Sequence, residues 1–512
     1  MQIISIYNKF KSCGTVTTDT RTLKGGEMFF ALRGENFDGN EYALNALELG
    51  ARYAVVNASS AVGADCAAGV LPAEVAERLI LVEDTLKTLQ ELARWHRSMT
   101  FVDGKPLRVI ALTGTNGKTT TKELIREVLS VKYRVTATEG NLNNNIGVPL
   151  TLLRINSDTQ LAVVEMGASH PGDIKELVDI ALPNFGLITN VGKAHLLGFG
   201  SFEGVKATKG ELYDYLRRTA DMAFINVDNP HLCQMASERN MQHDSERSYS
   251  LLLPYGLEYQ GASVLPSTAD HPFLRIALPV PVAASSSSAS NCAAPSAVLA
   301  DGSSAPAPAD GQVVINTNLV GSYNADNVMA ALAVGMHFGV PFEDAVRAIE
   351  SYVPSNNRSQ MTRTASNSLI VDAYNANPTS MAAALENFSN VVADCKVAML
   401  GDMLELGDDS LAEHIAVIRS ACSRGLSQLY FVGAEFKAAA AQAIPAQPAP
   451  SQDTAAPVQA AAAHDPSASS PALFFANSDE LASHLAANPL SGAVILIKGS
   501  RGTRMEKVIP VL

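Results

Sequence analysis

The 512-residue chain has no CxxC pair, no long apolar run and no excess of basic residues. Its six cysteines, Cys13, Cys66, Cys233, Cys292, Cys395 and Cys422, are scattered. That excludes a disulfide framework and a cysteine-built zinc site, and leaves reduced, buried thiols as the reading. Although 47% of the residues are hydrophobic, no stretch is long and apolar enough to span a bilayer. Residues 1–14 lack the charged head, apolar run and small-residue cleavage site of a signal peptide, so a cytoplasmic protein is expected. Lys and Arg number 38 against 51 Asp and Glu, for a net charge of −13. Such a balance removes nucleic acid as the main partner, because binding a phosphate backbone needs a basic face. Small phosphorylated ligands need only local positive groups and stay open.

The length predicts three domains. Residues 283–310 and 438–471 are built mainly from Ala, Ser, Pro and Gly. Neither segment can bury enough surface to offset the entropy of ordering it, so both are expected to be flexible insertions. From residue 108 to about 229 the chain alternates short apolar runs with helical spacing. Strands are expected at 109–112, 161–164, 187–189 and 223–227, and a helix over 120–131 places Leu124, Ile125, Val128 and Leu129 on one side. A further helix is expected to be capped by Asp173. This alternation implies a mainly parallel sheet covered on both faces, with ligands beyond the carboxyl ends of its strands. The last third has the same texture, with strands at 368–371, 397–400, 429–432 and 494–497. The first hundred residues are mixed: strands at 28–32 and 53–56, and helices over 42–49 and 85–99.

Gly114-Thr115-Asn116-Gly117-Lys118-Thr119-Thr120 lies between the first central strand and its helix. Glycines there let successive N–H groups converge on phosphate oxygens, and the helix N-terminus adds partial positive charge. Lys118 can reach the outer phosphates, and the Thr119 hydroxyl can hold Mg²⁺. Leu112 stands where the strict GxxxxGK[ST] pattern has its first glycine, so a tight Gly-rich turn with an exposed lysine is the competing reading. Glu165 follows an apolar strand directly, and His195, in Asn190-Val191-Gly192-Lys193-Ala194-His195, follows the next strand by a few residues. Together they could complete a divalent-metal site; singly, each reads as a solvated charge or a structural histidine. By spacing alone Lys209 is a surface lysine. The asparagine-rich stretch 141–147, with Asn144 and Asn145, can offer amides to a polar ligand or simply make a turn.

Taken together these segments resemble the Mur ligase family, which builds the peptide of the bacterial cell-wall precursor. The 114–120 loop is similar to that family's variant phosphate loop, and the segments at Glu165 and His195 resemble its metal-ligand segments. The resemblance implies a three-domain α/β protein. A mixed N-terminal substrate domain (1–104) would precede a central P-loop ATPase-like domain with a mainly parallel sheet (105–320) and a C-terminal Rossmann-like domain (321–512). It implies ATP and two Mg²⁺ ions, held by Thr119, Glu165, His195 and a Lys209 that the family often carbamylates. Thr18-Asp19-Thr20-Arg21 and residues 31–39 resemble the uridine-nucleotide end of the site. Asn324 and Asn327 resemble the adenine side, and Arg358 and Asp372 the residues that reach the γ-phosphate and the ATP ribose.

Residues 18–21, 31–39, 372–378 and 401–407 look most like the branch that adds D-alanyl-D-alanine to UDP-N-acetylmuramoyl-tripeptide through an acyl phosphate, and residues 498–502 also fit it. The implied enzyme is a monomer with small-molecule substrates. Its rivals are a relative adding a different unit, including a folylpolyglutamate-like one, and a P-loop NTPase with no ligation step.

Overall fold

Strands that run parallel and carry helices on both faces are buried on both sides, so they need continuous apolar residues rather than alternation. Leu161–Glu165 shows this, with all five residues buried. The computed structural model describes residues 3–219, 221–241, 251–267, 271–279, 312–354, 360–443 and 472–512. The chain divides into two units. The first is Met1–Val191, Lys206–Tyr255 and Ala330–Pro341; the second is Gly192–Val205, Gly256–Met329 and Phe342–Leu512.

In the first unit β1 (Val16–Thr17), β2 (Met28–Phe30), β3 (Tyr53–Asn57) and β4 (Leu79–Val82) form a parallel sheet in that order. Phe29, Leu47, Ala54 and Val56 lie in its core. A small hairpin, β5 (Phe101–Val102) and β6 (Lys105–Pro106), precedes the central sheet. That sheet consists of β7 (Arg108–Thr113), β8 (Val135–Ala137), β9 (Leu161–Glu165), β10 (Phe185–Ile188), β11 (Met222–Asn226) and β12 (Leu252–Tyr255). Its order is β12-β11-β10-β7-β9-β8, parallel throughout. Because β7 sits between β9 and β10, the turn after β7 lies beside the ends of both neighbours.

The helix Thr85–Ser98 joins the two sheets of this unit. Asp84 caps its start by accepting the Lys87 N–H at 3.0 Å. Near its end, the buried Arg97 guanidinium donates to the carbonyls of Ala181 (3.3 Å) and Leu182 (3.1 Å) and to Asn184 Oδ1 (2.9 Å). It thereby satisfies the open end of the helix Asp173–Ala181. Burial lowers the Arg97 pKa to about 10.

The second unit holds two sheets. β13 (Ser263–Leu265), β14 (Arg275–Pro279) and β15 (Gln312–Asn316) are antiparallel. β16 (Gln360–Arg363), β17 (Ser368–Asp372), β18 (Lys396–Gly401), β19 (Gln428–Val432), β20 (Ala472–Phe475) and β21 (Val494–Lys498) pair in the order β16-β17-β21-β18-β19-β20. Only the β16–β17 pairing of that sheet is antiparallel. The architecture is thus the expected three-domain α/β one. The first two large sheets share one unit, while Val320 and Phe273, just before the C-terminal third, pack into the C-terminal core.

Several local expectations shift. The helix after the phosphate loop starts at Lys118, because Gly117 turns the chain in the left-handed region at φ +77°. Gly172, not Asp173, is the residue before the next helix; the Asp173 carboxylate instead accepts the N–H groups of Ser169 and His170. The second low-complexity stretch begins inside the helix Ala434–Ala443, since alanine carries the strongest helix propensity. Its remainder from 444, and the whole of the first stretch, lie outside the described residues. Among others, β8 and the antiparallel β13–β15 escaped the sequence reading.

Gly433 has φ +125°, and a Cβ there would stand 2.1 Å from Asp402 Oδ2. Gly425 has φ +62° with open space around it. Gly433→Ala is expected to destabilise by about 3 kcal/mol and Gly425→Ala by about 1 kcal/mol. Urea midpoints of the two variants check this, and equal midpoints would contradict it.

Candidate active site

The loop after β7 is shaped by two glycines. At Gly114, φ is +145° and a Cβ would meet Thr189 Oγ1 at 2.0 Å. The chain can therefore press against the end of β10, and the Thr115 N–H donates to the Asn190 carbonyl at 2.9 Å. The Asn116 N–H donates to Asn190 Oδ1 at 2.9 Å, while Thr189 Oγ1 and Asn190 Nδ2 donate to the Asn116 carbonyl at 2.7 and 3.1 Å. Lys118 folds its ammonium back onto the carbonyls of Gly114 (2.8 Å) and Thr115 (3.0 Å). Thr119 and Thr120 are buried in the first turn of the helix Lys118–Ser130. Lys118 is half-buried, bonded within its own loop rather than fully exposed.

Thr119 Oγ1 donates to Glu165 Oε2 at 2.9 Å, so the hydroxyl and the strand-end carboxylate expected to share a metal do meet. Asn143 Nδ2 donates to Glu165 Oε1 at 2.8 Å. The Glu165 N–H donates to Thr138 Oγ1 at 3.0 Å, anchoring the same residue from its backbone. No group of three His, Cys, Asp or Glu among the described residues is arranged to hold a metal ion by itself. The Thr119–Glu165 oxygens nevertheless suit Mg²⁺, which keeps waters and phosphate oxygens as its other ligands.

The surface placement expected for Lys209 is wrong: it is 2% exposed, carried inward by the helix Phe202–Thr219. Its Nζ donates to the Ala168 carbonyl at 3.4 Å. Burial, and then the charge of Lys118, push its pKa well below the usual lysine range against the opposing pull of Asp173 and Glu211.

Asn143 is the residue that sequence reasoning missed. The asparagine-rich stretch pointed to its neighbourhood, but nothing in the letters chose among its members. Asn144 makes turn chemistry: its Oδ1 accepts the N–H groups of Ile146 (3.2 Å) and Gly147 (2.9 Å). Asn145 accepts, through its carbonyl, from Gln90 Nε2 at 3.2 Å. At the N-terminal sheet Asp19 caps the short helix Thr20–Thr22 and takes the exposed Arg21 guanidinium in a two-pronged contact of 2.9 and 2.7 Å. Those bonds hold the Asp19 carboxyl below its usual range. Thr18 lies beside Thr17, whose hydroxyl donates to the Asp19 carbonyl at 3.1 Å.

In the second unit His195 sits in the left-handed region at φ +50°, and its Nδ1 pairs with Glu405. The hydrogen bond holds the Glu405 carboxyl below its ordinary range. Lys193, two residues earlier, is paired with Glu413 at 2.6 Å. Asn324 and Asn327 are buried and bonded to each other at 2.9 Å, with Asn324 Nδ2 also donating to the Val320 carbonyl at 2.8 Å. Arg358 lies outside the described residues.

Asp372 ends β17 and receives the Lys498 ammonium at 2.5 Å. Asp402 is a buried helix cap, accepting the N–H groups of Glu435 (3.0 Å) and Phe436 (2.9 Å). Burial raises its pKa against those two bonds. His414 Nε2 lies 3.8 Å from Asp402 Oδ1 but accepts the Met403 N–H at 3.1 Å. Its proton is therefore on Nδ1, facing the Ser410 carbonyl at 2.7 Å, and the imidazole beside Asp402 is neutral.

Comparison with family models matches three stretches of the chain, one in each of its N-terminal, central and C-terminal parts. Residues 14–97 match the Mur ligase family catalytic domain, 112–260 the Mur ligase middle domain, and 357–501 the Mur ligase glutamate ligase domain. The UDP-N-acetylmuramoyl-tripeptide–D-alanyl-D-alanine ligase of Bacillus subtilis is 33% identical over 77% of this chain and 74% of its own. Its Escherichia coli counterpart is 32% identical over 82% and 81%. Among solved structures, MurF from Acinetobacter baumannii superposes with a TM-score of 0.74 at 25% identity, covering 99% of this chain and 98% of that one. MurF ligase from Thermotoga maritima, solved with ADP, shares the fold at a TM-score of 0.70 and 23% identity, over 97% and 96%. With a glycine-shaped loop after β7, a hydroxyl–carboxylate pair at its edge and these relatives spanning most of its length, the chain belongs to the Mur ligase family.

Proposed function

We propose that the chain is an ATP-dependent ligase that adds D-alanyl-D-alanine to UDP-N-acetylmuramoyl-tripeptide, giving the UDP-linked muramoyl-pentapeptide of peptidoglycan synthesis. The observation that carries the reading is the Gly114–Thr120 loop with Thr119 bonded to Glu165, in a chain whose relatives of that name match over three quarters of its length or more. The reaction begins when the terminal carboxylate of the tripeptide attacks the γ-phosphorus of ATP, releasing ADP and leaving an acyl phosphate. The amine of the dipeptide then attacks the acyl carbon, and phosphate departs from the tetrahedral intermediate.

The physical obstacle is the meeting of two anions. Lys118 exchanges its hold on the Gly114 and Thr115 carbonyls for the outer phosphates, and the loop N–H groups and helix N-terminus add their partial charge. Mg²⁺, when bound, would supply further countercharge; Thr119 and Glu165 would hold one ion, and His195 and a carbamylated Lys209 would hold a second. Carbamylation needs a neutral amine to attack CO₂ and release a proton, and the depressed Lys209 pKa favours that form. Asn143 fixes the Glu165 carboxylate from the side opposite Thr119.

The remaining assignments follow the same reading. Gly114, Thr115, Asn116, Gly117, Thr120, Asn324, Asn327, Arg358 and Asp372 serve ATP. Thr18, Asp19, Thr20 and Arg21 serve the uridine end, and Asn144 and Asn145 the substrate. The domain limits are proposed at 1–104, 105–320 and 321–512. ATP and a UDP-linked substrate are cytoplasmic metabolites, and the proposed enzyme works there as a monomer. No helix among the described residues is long and apolar enough to cross a membrane.

Phosphate release from ATP and Mg²⁺, with the UDP-linked tripeptide present, should depend on D-alanyl-D-alanine and yield the pentapeptide. Lys118→Ala should lower it by about a hundredfold or more. Release indifferent to both substrates would favour the NTPase reading and reject the ligase. A second expectation concerns Lys209. A lysine whose folded pKa lies below its ordinary 10.5 contributes stability that is fully present above 10.5 and is lost as pH falls through the folded value. In CO₂-free buffer, the urea midpoint of the wild type should therefore rise with pH over that window more steeply than that of Lys209→Met. Parallel pH slopes would refute the depressed pKa.

A further inference from the structure

The mechanism above leaves the deeply buried Lys498 ammonium unused. Lys498 is 1% exposed at the end of β21. It faces Asp372, the last residue of β17 and its register partner in the parallel pairing. Its Nζ donates to Asp372 Oδ2 at 2.5 Å and to the Asn375 carbonyl at 3.4 Å. Ser500 Oγ, two residues on, donates to the Ala376 carbonyl at 3.3 Å, so the loops after the two strands are tied together. Taking an ammonium out of water is costly, and an apolar side chain would fill the same slot without that cost. What an apolar residue could not do is hold one oxygen of a carboxylate. The Asp372 side chain is 18% exposed, so its other oxygen can accept from a ligand.

We infer that Lys498 is the positioning residue for Asp372: it clamps Oδ2 and the following loop so that the carboxylate meets the ribose hydroxyls of ATP in one orientation. This rests on the proposed role of Asp372. A hydrogen bond from a neutral hydroxyl to a fixed carboxylate discriminates against the analogue lacking it by roughly tenfold or more. With the carboxylate free to turn, most of that discrimination is lost.

The test compares ATP with 2′-deoxy-ATP and 3′-deoxy-ATP in the full-length enzyme, as ratios of kcat/KM, for the wild type, Asp372→Asn, Lys498→Met and Lys498→Gln. The wild type should prefer ATP over at least one analogue by about tenfold, and Asp372→Asn should erase that preference. Lys498→Met should bring the ratio close to that of Asp372→Asn, with the loss falling on KM for ATP rather than on kcat. Lys498→Gln keeps a donor without the charge; it should fall between, and it carries the test where the Met variant does not melt cooperatively. Lys498 variants that keep the wild-type ratio while Asp372→Asn loses it would overturn the inference and leave Asp372 at the ribose. An Asp372→Asn enzyme with the wild-type ratio would remove Asp372 from the ribose, and the inference with it.

Discussion

At residue 114 the backbone runs so close to the end of β10 that any side chain would occupy the place of the Thr189 hydroxyl. This contact governs the rest of the loop after β7. With no Cβ in the way, Thr115 and Asn116 bond to Asn190, and the loop becomes a rigid arch between two parallel strands. The left-handed turn at Gly117 then launches the helix, which fixes where Lys118 and Thr119 begin. Thr119 reaches Glu165 because β9 lies next to β7 in the sheet and ends level with it. The lysine and the hydroxyl thus follow from the glycine turn, and the carboxylate from the β7–β9 pairing beside it.

The second unit solves a similar problem with buried charge. Gly433 leaves room for the Asp402 carboxylate, which spends its oxygens on the N–H groups opening the helix Ala434–Ala443. Asp372 and Lys498 end adjacent interior strands and pair with each other at those strands' carboxyl ends. Both arrangements place acidic groups at the carboxyl ends of parallel strands, where α/β sheets present ligands. The two aspartates are not equivalent. Asp402 is consumed by the fold, whereas Asp372 keeps part of its surface.

Much of this was legible because it is local. Buried parallel strands write themselves as apolar runs, and the offset between Gly117, Lys118 and Thr119 is set by covalent spacing at a helix start. Glu165 could be placed from its position one residue after such a run. Other features were not legible because they depend on what packs across the chain. Asn143 differs from Asn144 and Asn145 only in which of them the loop turns toward Glu165. Lys209 reads as a surface residue until the strands and helices around it exclude water. His195 was expected near a metal, and its contact in the structure is with Glu405, more than two hundred residues away in sequence.

The sequence by itself determined the class of the sheets, the glycine turn between β7 and its helix, and the family resemblance, because turn, helix and strand preferences act over a few neighbouring residues. Only the tertiary structure decided which carboxylates are caps, which amide supports Glu165, how deeply Lys209 and Lys498 are buried, and which strands lie side by side. Those outcomes depend on bringing distant segments together, and their energies arise from desolvation and pairing that no local stretch of chain can specify.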